Sequence, residues 1–172
     1  MTSQRKDGFK GGIQSGTTAF DLDSKKLDEQ TKVARDTLTK EFPNLLMVKM
    51  FSKEMKYTLV GDDCFGFAPD GGAWFRNGKL VACFESKKQG IGGNAYERWW
   101  DNARTAKFIN PDVVYLTFCS GEGAAPGNCL DKLRRKATIM EGENFIFEMS
   151  VDGFTDEYVI DRMRDVLSNI KD

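Results

Sequence analysis

The sequence predicts an α/β fold in which a central mixed β-sheet is flanked by helices. Three observations carry that prediction. Apolar runs of strand-like composition fill the middle of the chain, at 73–75, 79–86, 113–119 and 144–151. Patterns of helical period stand before, between and after them, at 24–42, 94–109, 130–139 and 155–170. Asn77-Gly78 joins the first two apolar runs, and an Asn-Gly pair in that setting is the strongest short signal for a β-hairpin. Strands interleaved with helices bury their apolar surfaces by packing helices on a sheet. At 172 residues the chain is long enough for one core that removes roughly 70% of its unfolded surface from water. It therefore reads as a single domain, 21–172, behind an N-terminal arm, 1–20.

Taken in order, the arm is rich in Gly, Ser and Thr, lacks an apolar period and reads as flexible, either a free tail or a segment that orders on a partner. From a capping Asp23 or Ser24, Leu27, Thr31, Ala34, Leu38 and Phe42 recur at helical spacing up to Pro43. Runs at 45–51 and 56–60, split by a charged turn, suggest two paired strands. The Asn-Gly hairpin follows, then a Gly-rich loop at 88–93. After the loop, Tyr96, Trp99, Trp100, Ala103 and Ala106 mark a helix that Pro111 closes. The segment 113–119, VVYLTFC, is too apolar to be half exposed and reads as a buried central strand. A Gly- and Pro-rich loop leads to a short basic helix and a further strand. In the last helix Thr155 caps, Asp156 and Glu157 fill the first turn, and Val159, Ile160, Met163, Val166, Leu167 and Ile170 form the apolar stripe.

Composition then restricts the chemistry. The chain has no histidine, which removes Ser-His-Asp and Cys-His catalysis, histidine-bound zinc and the histidine-metal nucleases. Any hydrolysis must run on carboxylates, lysine and metal. Cys64, Cys83, Cys119 and Cys129 show neither a CxxC pair nor a zinc spacing, and they read as buried free thiols. A net charge of -1 exerts no global pull on nucleic acid, so local clusters at Arg5-Lys6, Lys87-Lys88 and 132–136 would have to do so. No apolar stretch reaches the length of a bilayer span and no signal peptide stands at the start, so a cytoplasmic protein without a membrane partner is expected.

Glu85 and Lys87 stand two apart near the end of the second hairpin strand, and the strand period puts both on one face. The plain explanation of such charges is a strand leaving the core for solvent. Pro69-Asp70 at the start of the same hairpin points elsewhere, because folding at Asn77-Gly78 returns Glu85 toward Asp70. Two carboxylates and an ammonium then meet at one sheet edge. Mg²⁺ takes oxygen ligands and usually keeps several waters, so Asp70, Glu85 and a phosphate oxygen suffice to hold it. Such a metal lowers the pKa of a bound water, and Lys87 would orient that water, help deprotonate it or stabilise the developing charge. In-line attack on a phosphodiester leaves a 5'-phosphate and a 3'-hydroxyl.

The segments FAPDGG, ESKKQG and GGNAYER follow one another at 67–72, 85–90 and 92–98. This succession resembles the EcoRI/MunI-like family of type II restriction endonucleases, within the PD-(D/E)xK nucleases. EFPNL at 41–45 and LDKLRRK at 130–136 extend the resemblance to most of the chain. It implies a restriction-endonuclease-like sheet, Mg²⁺ on Asp70 and Glu85, and Lys87 as the catalytic lysine. In GNAYER it implies that Asn94, Ala95 and Arg98 read base edges, with Glu97 tying them together. Residue chemistry agrees, since Asn pairs bidentately with an adenine edge and Arg is the best bidentate donor in the major groove. The alternative for this helix start is an N-cap at Asn94 followed by solvated polar residues.

Arg135 is a guanine-contact candidate or part of a phosphate-neutralising patch, and Lys88, Gln89, Lys132 and Arg134 are candidates for the DNA backbone. Tyr96, Trp99 and Trp100 are assigned to the core or a dimer interface. The chain departs from the family in its shortness, which implies reduced DNA-enclosing loops, in Ser86 between Glu85 and Lys87, and in Trp99-Trp100 where relatives are polar. The expected function is that of a homodimer needing no small-molecule cofactor, the nuclease of a restriction-modification pair. It would cut double-stranded DNA at a short palindrome with an AATT core, GAATTC first. A repair or junction-resolving nuclease and a non-cleaving DNA-binding relative remain as rivals.

Overall fold

The computed structural model describes residues 19–52, 64, 66–90 and 95–171. The expectations for the arm at 1–18, the strand at 56–60, the loop at 91–93 and the helix start at Asn94 lie outside these residues. Helix α1 spans Ala19–Glu41 and so begins one turn earlier than its candidate caps. Strand β1 (Leu46–Val48) pairs antiparallel with β2 (Ala73–Arg76), and β2 pairs antiparallel with β3 (Lys79–Lys88). Then come α2 (Ala95–Ile109), β4 (Val114–Ser120), a 3-10 turn at Glu122–Ala124, α3 (Cys129–Glu141), β5 (Phe145–Ser150) and α4 (Asp156–Ser168).

The five strands lie in sequential order, β1-β2-β3-β4-β5, with β3, β4 and β5 parallel. The sheet is therefore mixed, and helices cover both of its faces. Strand alternation separates two apolar layers. On one face Ala73, Phe75, Cys83, Tyr115 and Phe145 pack under Trp99, Ala103 and Ala106 of α2 and Leu130, Leu133 and Ala137 of α3. On the other, Trp74, Ala82, Phe84, Leu116 and Phe118 pack under Leu27, Ala34 and Leu38 of α1 and Val159, Met163 and Leu167 of α4. Parallel neighbours need crossovers, and α2 and α3 supply the two that connect β3 to β4 and β4 to β5.

The hairpin forms where the Asn-Gly pair places it. Asn77 and Gly78 both take positive φ, 51° and 77°, the signature of a turn whose twist matches that of its strands. Thr155 caps α4 as expected, its hydroxyl accepting from the Tyr158 N–H at 3.1 Å. Cys64, Cys83 and Cys119 are buried and Cys129 is half-buried, and none of the four is in a disulfide. Among the described residues no helix is long and apolar enough to cross a membrane.

Candidate active site

The site is built on the open end of the hairpin. Pro69 to Gly72 form a tight turn closed by the Gly72 N–H on the Pro69 carbonyl at 2.9 Å. Neither glycine is replaceable without movement. A Cβ on Gly71 would sit 2.5 Å from Cβ of Phe84, and Gly72 has φ 83°. The turn is pinned further by Nε1 of Trp74, which donates to the Gly71 carbonyl at 3.0 Å, and by Nη1 of Arg35, which donates to the Asp70 carbonyl at 3.1 Å. The register that pairs Ala73 with Cys83 brings Asp70 opposite Ser86. There the Asp70 carboxylate takes over the ladder, and its Oδ2 accepts the Ser86 N–H at 3.1 Å.

Glu85 and Lys87 point to the α2 face of β3, two residues apart as the strand period requires. Nζ of Lys87 donates to Oε1 of Glu85 at 2.8 Å, and the Tyr115 hydroxyl donates to Oε2 at 3.2 Å. Only 2% of Glu85 is exposed. Burial, aided by nearby Asp70, pushes its carboxyl up to about 7 against the pull of Lys87. Burial alone would lower the Lys87 ammonium, but Glu85, Asp70 and Asp28 outweigh it and hold the group above the ordinary lysine range. The pair is thus an acid held back from ionising beside a cation held charged. The solvent-exit explanation does not fit Glu85, which stays inside the protein.

Three participants were not singled out from the sequence. Asp28 on α1 lies 2.6 Å from the Ser86 hydroxyl, and burial raises its carboxyl, with Asp70 adding to the rise. Tyr115 on β4 is fully buried, and Arg35 on α1 orders the Asp70 turn. Asp28 borders the apolar stripe of Leu27, Thr31, Ala34 and Leu38, so an acid at the edge of a buried helix face was the available clue.

The donor set consists of oxygen atoms alone: the carboxylates of Asp70, Glu85 and Asp28, a hydroxyl and a phenol. Among the described residues no three His, Cys, Asp or Glu side chains form a ready metal cage. Two carboxylates beside one another nevertheless suit a hard divalent cation that keeps much of its water. The raised Glu85 carboxyl owes most to burial and less to the neighbouring Asp70, a charge that a cation there would offset.

No protein-family model, curated protein or solved structure matches the chain. A functional reading therefore stands on the motifs and on this geometry.

Of the candidate reading residues, Ala95, Glu97 and Arg98 fall on α2. Ala95 opens the helix, and Glu97 and Arg98 are exposed on its first turn. The next residue, Trp99, is fully buried and donates through Nε1 to Oγ1 of Thr117 at 2.9 Å. Thr117 is the β4 partner of Glu85 in the sheet register. The start of α2 is thereby anchored beside the acidic site, and Trp99 serves the core, as does Trp100 at 9% exposure. Lys88 is half-buried at the end of β3. Gln89 is buried, its N–H donating to the Ser120 carbonyl at 3.1 Å and its carbonyl accepting from Gly123 at 2.8 Å. On α3, Lys132 and Arg135 are exposed and Arg134 is half-buried, while Asp131 takes Arg134 at 2.7 Å and Arg135 at 3.3 Å.

Proposed function

We propose that this chain is a Mg²⁺-dependent, site-specific deoxyribonuclease of the type II restriction class, with a restriction-endonuclease-like fold and a homodimeric, cytoplasmic working form. It would hydrolyse double-stranded DNA at a short palindrome with an AATT core, GAATTC being the first candidate. The observation that carries the reading is the meeting of Asp70, Glu85 and Lys87 at the open end of one hairpin. ESKKQG runs on from that point toward a helix whose first turn holds Glu97 and Arg98.

Asp70 and Glu85 would hold the cation, which supplies an acidified water and a counter-charge for the phosphate. Lys87, charged and fixed on Glu85, would orient the attacking water and stabilise charge building on the phosphoryl oxygens. The water oxygen bonds to phosphorus as the bond to the 3' oxygen breaks; the water gives up its proton to solvent, and the 3' oxygen takes one from solvent. The ends are then 5'-phosphate and 3'-hydroxyl. Asn94, Ala95, Arg98 and Arg135 would contact bases, with Glu97 tying them together, and Lys88, Gln89, Lys132 and Arg134 would line the backbone. A palindrome read by two copies is the reason for a two-fold dimer.

The roles are separable by experiment. Asp70→Ala is expected to keep binding a GAATTC duplex in Ca²⁺ within about threefold, on the reasoning that it touches no base, yet to lose cleavage by more than about 10³-fold. Asn94→Ala is expected to lose the preference for the site by about 10-fold or more, as one bidentate base contact is worth, while still binding metal. Gel shifts and initial cleavage rates measure both, and the opposite pattern would overturn the assignments.

A further inference from the structure

Ser86 stands between Glu85 and Lys87 but turns its side chain to the other face of β3, toward α1. It is 4% exposed. Its main-chain N–H donates to Oδ2 of Asp70 at 3.1 Å, and its hydroxyl lies 2.9 Å from the same oxygen and 2.6 Å from Oδ1 of Asp28. A hydroxyl carries one proton and so serves one of those carboxylates at a time, whereas the N–H is committed to Asp70. Both contacts from Ser86 to Asp70 fall on Oδ2.

We propose that Ser86 is a positioning residue of this site, its main-chain N–H held on Oδ2 of Asp70 and its hydroxyl bridging that oxygen and Oδ1 of Asp28, so that the two together orient the carboxylate that holds the metal. The inference rests on the reading of Asp70 as a metal ligand. A hydroxyl placed within reach of two carboxylates from two other elements has a polar task. Partners that hold a ligating carboxylate in place usually govern metal affinity strongly.

Mn²⁺ binding followed by electron paramagnetic resonance tests this without DNA or turnover. Ser86→Ala is expected to bind Mn²⁺ about 10- to 100-fold more weakly than the wild type. Ser86→Cys, which keeps the shape but replaces the hydroxyl with a weak donor, is expected to behave likewise. Ser86→Thr, which keeps the hydroxyl, is expected to return to within about threefold of the wild type. Equal affinities for the wild type, Ala and Cys proteins would overturn the role of Ser86 while leaving the metal site standing. Loss of affinity in the Thr protein equal to that in Ala would show that packing, not the hydroxyl, matters. A wild type that binds no Mn²⁺ would overturn the metal site itself, and the inference with it.

Discussion

Glu85 is a carboxyl group inside the protein with one ammonium, one phenol and a second carboxylate beside it. Its folded-state pKa near 7 lies above the ordinary 4.5, so between those values the folded chain holds a proton that the unfolded chain has lost. The stability this contributes is fully present below about pH 4.5 and is lost as pH rises through about 7. Metal-free wild type should therefore fall in thermal midpoint from pH 5 to pH 8 more steeply than Glu85→Gln, as read by scanning calorimetry. Equal slopes would mean that this carboxyl titrates as an exposed one. At this scale Asp70, Glu85 and Lys87 were legible because their spacing follows the strand period and one hairpin turn. Asp28 and Ser86 were not, since their contact spans 58 positions and depends on how α1 lies across the sheet. Tyr115 read only as part of an apolar run, and its hydroxyl gains meaning from the neighbouring strand.

At the scale of elements, the hairpin is the part on which the site depends. Asn77-Gly78 sets its turn, and the two glycines after Asp70 let the chain close against Phe84 and Thr31. Gly71→Ala would drive a Cβ to 2.5 Å from Phe84 Cβ and 3.0 Å from Thr31 Cγ2. The cost of overpacking of that kind is about 1–3 kcal/mol. For a chain of this size, the thermal midpoint should fall by about 2–4 °C for each kcal/mol. An unchanged midpoint would contradict the close approach. Helices α1, α2, α3 and α4 and strands β2 to β5 were each expected from period and punctuation. The start of α1 was placed late because Asp21, Asp23 and Ser24 are all capping residue types and the sequence does not single out which one begins the helix. Strand β1 was expected to pair with 56–60, but its described partner is β2, and short apolar runs carry no information about which neighbour they join.

At the scale of the whole molecule, the three-layer arrangement of helices, sheet and helices follows from composition and order. Buried strands such as β4 need cover on both faces, and α1 with α4 and α2 with α3 provide it. What the pattern of residues did not contain is the way the two faces meet at the end of β3. Glu85 and Lys87 belong to the α2 side and Ser86 to the α1 side, and Asp70 reaches the strand edge between them. That meeting point joins an acid-rich centre to a helix start with exposed Glu97 and Arg98, which is the basis for reading one protein as both cutter and reader. The most direct test of that claim is digestion of a sequenced plasmid by the purified protein with Mg²⁺, with the ends mapped. Discrete fragments whose 5'-phosphate ends all fall at one palindrome containing AATT are the predicted result. Intact plasmid, an unfocused smear, or cutting confined to branched DNA would contradict it.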